Sequence, residues 1–252
     1  VNTPIRNPAV FDHSRSLTTS IVKYPALINS QSVNINLPND NIVFSASLKY
    51  LSYGAFKGYN QFGEDIGTYR SYETWVDGYL AKQIKPHSVF IGSSICFKSS
   101  NFHIEKIKTL STSLGLIKQF KNKNNAIGFS INYIGLNFSN RKLSTTSPNF
   151  ILGASKKLKY LPAISYIDFL RYREKTEIFT GICFLHGENI KLLVGSSTRK
   201  FGQNTSQNLF RSILGATGFG FVYEKNRISV QYGAYYYGVG LKVDGLNIGI
   251  IF

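Results

Sequence analysis

Ala126-Ile127-Gly128-Phe129-Ser130-Ile131-Asn132-Tyr133 alternates strictly, with Ile127, Phe129, Ile131 and Tyr133 on one face and Ala126, Gly128, Ser130 and Asn132 on the other. A period of two is the signature of a β-strand, whose successive side chains point to opposite sides. The second face decides the architecture. In a water-soluble sandwich the solvent side of a strand carries charge, whereas here it carries only small residues, of a size to line a narrow closed barrel. The apolar side then faces lipid. The pattern recurs with Val89, Ile91, Ile95 and Phe97 against Ser88, Gly92, Ser94 and Lys98, and with Ile228, Val230, Tyr232 and Tyr236 against Ser229, Gln231, Gly233 and Tyr235.

Working outward from these segments, strands are expected over 17–24, 31–37, 41–53, 72–85, 88–99, 106–120 and 125–139. Seven more follow over 147–159, 163–171, 176–185, 189–201, 213–224, 227–237 and 242–252. That is about fourteen, an even number, as in bacterial outer-membrane barrels. Every second link is short and rich in turn formers: Pro38–Asp40, Pro86–His87, Lys121–Asn124, Tyr160–Pro162, Gly187–Glu188 and Lys225–Asn226. The intervening links are longer on average, from Gly54–Ser71 to Gly238–Gly245, as expected for extracellular loops above short periplasmic turns. Both chain ends then lie on the periplasmic side. In the loop 202–212, Ser206 is placed to cap a short helix carrying Leu209, Phe210 and Ile213 onto the rim. The expectation is one all-β domain over 1–252, a transmembrane antiparallel barrel over 17–252 behind a short N-terminal segment, 1–16.

Composition agrees. Charged residues are 17% of the chain, against roughly 25% in an average soluble domain, while Gly (22), Tyr (16) and Phe (19) are plentiful. No run approaches the roughly 18 to 20 apolar residues of a membrane-spanning helix. The chain opens at Val1 without a basic start and apolar run, so an export signal is expected to have been removed already. The net charge of +16 is dispersed along the chain, which excludes a recognised nucleic-acid module and points to lipid headgroups or lipopolysaccharide as anionic partners.

Catalytic and metal chemistry find little support. His13, His87, His103 and His186 have no metal-ligand spacing, and no Gly-x-Ser-x-Gly elbow occurs. Glu64, Asp65, Glu73 and Asp77 lie in or after the longest outer loop; a calcium or partner site is the sharper alternative to a solvated loop with one lumenal Asp77 paired to a lysine or arginine. Cys96 and Cys183 read as packing residues, with a disulfide left open. No cofactor is expected. Tyr50, Tyr53, Tyr72, Trp75, Tyr133, Tyr160, Tyr166, Tyr232 and Tyr236 lie near strand ends, as interfacial girdles do, with ligand stacking the alternative.

The last strand alternates Leu246, Ile248, Ile250 and Phe252, and its terminal aromatic resembles the signal read by the outer-membrane barrel-assembly machinery. Asn7-Pro8-Ala9-Val10-Phe11 resembles the Asn-Pro-Ala segment preceding the first strand of FadL-type barrels of Bacteroidetes, in particular the PorV/PorQ group of the type IX secretion system. The run Tyr50–Tyr59, the segment Tyr72–Ala81 with Asp77, the strand Gly92–Lys98, the Lys200-Phe201-Gly202 loop, the strand Gly215–Tyr223 and the final hairpin resemble PorQ in order and spacing. With only Val1–Ser16 before the first strand, the plug of a FadL transporter is expected to be short or absent. The resemblance implies a non-enzymatic membrane anchor holding a subunit of a secretion or assembly complex by its outer loops and rim. The alternative is a channel for hydrophobic or small anionic solutes, with Asp77, Lys98, Arg199 and Lys200 as the polar residues of lumen or rim. A third reading, a secreted soluble β-sandwich adhesin, predicts extraction without detergent.

Overall fold

The computed structural model describes residues 7–10, 12–84, 87–102, 105–120, 125–139, 142–199, 215–237 and 241–252. The alternating segments become β1 (Ser16–Lys23), β2 (Asn29–Asn39), β3 (Ile42–Tyr59), β4 (Asp65–Ile84), β5 (Val89–Phe102), β6 (Glu105–Gln119) and β7 (Ala126–Ser139). There follow β8 (Lys142–Thr145), β9 (Asn149–Lys157), β10 (Ala163–Tyr172), β11 (Lys175–His186), β12 (Ile190–Ser197), β13 (Thr217–Lys225), β14 (Ile228–Tyr237) and β15 (Leu241–Ile251). Each pairs antiparallel with its neighbour, and β1 pairs with β15, Ser16 opposite Ile251, so the sheet closes. β8 and β9 both pair with β7, over Leu136–Ser139 and Ala126–Asn132, and are two pieces of one stave. The wall therefore has fourteen staves. Closure leaves no unpaired sheet edge in the wall, the condition for a sheet to exist in hydrocarbon.

The packing is inverted relative to a soluble protein. Among the described residues nine of the eleven buried polar or charged ones are serines, whereas Leu17, Phe44, Val76, Ile95, Leu114 and Ile250 are each more than two-fifths exposed. Lipid, not a hydrophobic core, covers the large apolar side chains. The Phe252 amide donates to the Arg15 carbonyl (3.0 Å), so the start of β1 and the end of β15 meet at one rim, with the short links.

Four features depart from the sequence reading. The link expected over Gly54–Ser71 is mostly strand: β3 and β4 continue to Tyr59 and from Asp65. Backbone pairing satisfies this ribbon without side-chain periodicity, and Gly54, at φ +95°, takes the bulge at its root. Second, Tyr133 does not share the outer face of Ile127, Phe129 and Ile131. A bulge sets Thr112 opposite Ile134 and Leu114 opposite Ile131, reversing the alternation so that Tyr133, at φ +63°, faces the lumen. Third, β8 lies inside the link expected over 140–146. Fourth, β12 ends at Ser197 and β13 begins at Thr217, inside the expected limits; Lys200 and the helix anticipated after Ser206 fall outside the described residues.

Candidate functional site

The periplasmic half of the lumen is a seat for the N-terminal segment. β5, β6 and β7 each turn a glycine inward at similar depth: Gly92 opposes Gly115, and Gly128 is one register step away on β7. Asn7, Pro8 and Ala9 lie against them. A Cβ on Gly92 would stand 2.1 Å from the Pro8 carbonyl oxygen, and one on Gly115 would stand 2.1 Å from Asn7 Oδ1. Only glycine leaves room for this approach. The Asn7 side-chain amide donates to the carbonyls of Phe129 (3.2 Å) and Leu116 (3.4 Å), its Oδ1 accepts from the Ala9 amide (2.9 Å), and Ala9 is wholly buried. These residues form a short plug in the lumen, within the expectation that it is short or absent. A space of about 70 Å³ continues beside it, between Asn7, Val10, Ala154, Tyr166 and Asp168.

Toward the outside the same strands change character. Inward residues of β4 run Ser71, Glu73, Trp75, Asp77 and Tyr79, and β5 answers with Lys98 opposite Trp75 and Cys96 opposite Asp77. Glu73 is 5% exposed. Its carboxylate accepts from Lys98 Nζ (2.7 Å), Ser100 Oγ (2.8 Å) and the Tyr53 hydroxyl (3.2 Å). A buried carboxylate needs this many partners, because loss of hydration is otherwise uncompensated. Trp75 carries two ammonium groups, Lys49 Nζ at 4.9 Å and Lys98 Nζ at 5.1 Å from its ring centroid, contributed by the strands on either side. Asp77 stands opposite Cys96 across the β4–β5 pair, and the Lys49 charge acts on it from β3.

Above this cluster a cavity of about 580 Å³ opens. Lys98, Arg173, Lys175 and Arg199 line it, against one carboxylate, Glu177. Arg199 pairs with Glu177 (2.8 Å) and lies over the Phe179 ring; Arg173 Nε donates to Ser147 Oγ (3.1 Å). Apart from Leu170 and Cys96 the rest of the lining is polar or aromatic, with Thr109, Ser111, Asn137, Thr146, Asn149, Tyr133 and Tyr172 among it. A positive, partly enclosed chamber concentrates anions by focusing the field of its cations.

No family model and no curated relative matches the sequence. Solved structures do. The toluene transporter TodX of P. putida is 10% identical with a TM-score of 0.58, over 100% of this chain and 92% of that one. A deltaS2 mutant of the TodX monoaromatic hydrocarbon channel is 11% identical with a TM-score of 0.58, over 100% and 93%. The outer membrane protein Omp33 of Acinetobacter baumannii is 9% identical with a TM-score of 0.52, over 95% and 98%. The fold is a closed, fourteen-stave antiparallel β-barrel like those of these outer-membrane proteins. At these identities the likeness is one of fold, so the chemistry of this barrel rests on its own side chains.

Of the residues singled out in the sequence, Asp77 and Lys98 lie on adjacent strands of one lumenal cluster, and Arg199 lines the same chamber from β12's end. Asp77 was expected to pair with a lysine or arginine; the lysine facing it is Lys49, while Lys98 is taken by Glu73. Glu64 and Asp65 stay at the hairpin tip, binding Asn60 Nδ2 and the Gly67 amide, so the four carboxylates do not converge. Among the described residues no group of three His, Cys, Asp or Glu comes together. Cys96 and Cys183 are buried free thiols on different strands. Trp75 and Tyr133, expected in a girdle, line the chamber, Tyr166 lines the smaller space beside Asn7, and Tyr53 points its hydroxyl at Glu73. Tyr50 and Tyr232 do face outward, and so do Leu246, Ile248 and Ile250. Sequence reasoning missed Lys49, Glu73 and Trp75 as lumenal; the signal was there, since all three follow the parity that puts Asp77 inside.

Proposed function

We propose that this barrel admits small anionic solutes from outside the cell through its outer lumen. The observation that carries the reading is the chamber of about 580 Å³, where Arg173 and Lys175 add positive charge beside the Lys98–Glu73 and Arg199–Glu177 pairs. A hydrocarbon such as the one named for TodX would have to displace water from Lys98, Arg173, Lys175 and Arg199, and desolvating charge in favour of an apolar solute is unfavourable. The anchor reading rests on the family resemblance; the outer lumen, with room for a solute, supports passage instead. The test is the reversal potential of the full chain in a planar bilayer under a KCl gradient. Anion selectivity is expected, reduced by Lys98→Met and by Lys175→Gln; selectivity for potassium would overturn the reading.

A second reading, a PorQ-like accessory subunit of a secretion complex, draws support from one feature. Among the described residues, 55–70 pair only with one another, because the β2–β3 ladder stops at Ser52 and the β4–β5 ladder at Ser71. The ribbon stands roughly 20 Å beyond its neighbours at about 3.3 Å per residue. It exposes Phe56, Tyr59, Phe62 and Ile66, with Phe62 79% exposed. Apolar side chains held clear of the membrane favour contact with a protein. Affinity purification from native membranes, with and without residues 55–69, tests it.

A further inference from the structure

The chamber walls specify more than charge. Two phenols, Tyr133 and Tyr172, line it at 40% and 41% exposure and present ring surface to the interior. Between them and the cations lies a row of hydroxyls and amides: Thr109, Ser111, Thr145, Ser147, Asn137 and Asn149. Such a set is more than a simple anion needs. Hydroxyls and carboxamides both donate and accept, so they match a solute that is itself rich in hydroxyls, while exposed ring surface suits the C–H face of a saturated ring. Asn149 supplies an independent pointer. Its Oδ1 is buried without a hydrogen-bond partner in the structure, and Asn149 lines the chamber from β9. A buried carbonyl oxygen left in this state calls for a donor, and a solute hydroxyl is one.

We propose that the solute is a monosaccharide carrying one anionic group: a hydroxylated ring whose acid lies between Arg173 and Lys175, the chamber cations outside the Lys98–Glu73 and Arg199–Glu177 pairs, and whose hydroxyls meet Asn137, Asn149 and the Ser/Thr row. This deepens the anion reading and rests on it for the charge. The anionic group is a carboxylate in a uronic acid or a phosphate in a sugar phosphate. The two share the same recognition chemistry.

The chain carries a built-in reporter, because its one tryptophan, Trp75, lies at the chamber wall with Lys98 Nζ over its ring. A solute that fills the chamber beside the ring changes its surroundings and so the emission. Full-length protein in detergent is titrated with glucuronate, glucose 6-phosphate, acetate, inorganic phosphate and glucose. Saturable changes are expected with glucuronate or glucose 6-phosphate at concentrations about tenfold below those needed for acetate, phosphate or glucose. The tighter of the two names the acid. Asn149→Ala is expected to weaken the sugar acid about fivefold and leave acetate unchanged, each read from the same titration. If acetate and phosphate bind as tightly as their sugar counterparts, or no sugar acid gives a saturable change, the inference is overturned. The bilayer measurement is independent: anion selectivity without sugar-acid binding removes this inference alone, and sugar-acid binding with potassium selectivity removes the passage reading alone.

Discussion

The two halves of the lumen are built on the same strands and do opposite things. On β5 the inward residues pass from Gly92 to Cys96 and Lys98, and on β6 from Gly115 to Ser111 and Thr109. At the glycine level the wall recedes far enough for the backbone of Asn7–Ala9 to lie against it; a few residues higher the wall fills with hydroxyls and charge around an open chamber. Side-chain volume along one face, at constant backbone geometry, decides whether a given depth is closed or receptive. The lower half is held by shape and a few amide contacts, the upper half by electrostatics.

That contrast predicts where single changes act most strongly. The largest effect is expected from Lys98→Ala, which leaves Glu73, 5% exposed, with Ser100 and Tyr53 but no cation. Breaking a buried pair costs roughly 3–5 kcal/mol, and the low end applies because the Lys98 side chain is itself 29% exposed to the lumen. The thermal midpoint of folded-barrel migration on unheated gels should fall well below wild type. Adding Glu73→Gln should restore most of it, since the neutral amide needs no counterion. An equally large fall in the double variant would mean that Lys98 acts by packing rather than charge.

Next comes the seat. Gly92→Ala places a Cβ against the Pro8 carbonyl, a contact that backbone cannot absorb without moving the segment. Overpacking of this kind costs about 1–3 kcal/mol, but the damage should stay in the lower half. With cysteine at position 9 as a probe, in a background with Cys96 and Cys183 replaced by serine, labelling by a polar maleimide should rise at least severalfold. The anion selectivity set by the chamber should persist. Unchanged labelling would show that the glycines are not what seats the segment.

A smaller effect separates Tyr133 from its neighbours on β7. Were it facing lipid like Ile131, Tyr133→Leu would be nearly neutral for the chamber. Because the bulge turns it inward, the change should enlarge the chamber and raise chloride conductance while costing under about 1 kcal/mol, as exposed positions do. A tyrosine at positive φ carries about 1–2 kcal/mol of strain, so Tyr133→Gly should offset part of the lost packing.

These residues also show how far the sequence was legible. Closure, stave number and the side facing lipid follow from period two plus the size of the second face, and segments such as Leu246–Phe252 carry both without tertiary information. Tyr133 was misplaced because one inserted residue reverses parity, and the insertion lies in the register between β6 and β7, not in any local run of residues. Glu73 was grouped with the loop carboxylates, and its lumenal pairing was missed for a related reason. Its partner Lys98 is 25 positions on, and their meeting depends on cross-strand register. The glycines were legible as small; that they seat Asn7–Ala9 was not, since nothing local to Gly92 refers to Pro8. Charge in the chamber was half legible: Lys98 and Arg199 follow from strand parity and loop position, but their convergence with Arg173 and Lys175 requires the closed barrel.

The smallest effect on the barrel is expected from the part that looks most prominent. Deleting residues 55–69 and joining Gly54 to Arg70 removes a two-stranded ribbon that pairs with no other strand among the described residues and leaves Phe56, Tyr59, Phe62 and Ile66 exposed. Isolated hairpins are marginal in water, so the ribbon adds almost nothing to the wall below. The Phe56–Tyr69 stack, at 5.5 Å, and the Asn60–Glu64 tip contacts are internal to it and leave with it. Glu73, Trp75 and Lys98 keep their partners, so gel migration should stay near wild type and anion selectivity should be unchanged. If a native partner is lost from co-purification while the barrel is intact, the ribbon is a protein-binding arm on a working channel. If selectivity changes as well, the ribbon belongs to the chamber, and the division between an electrostatic upper half and an independent outer arm does not hold.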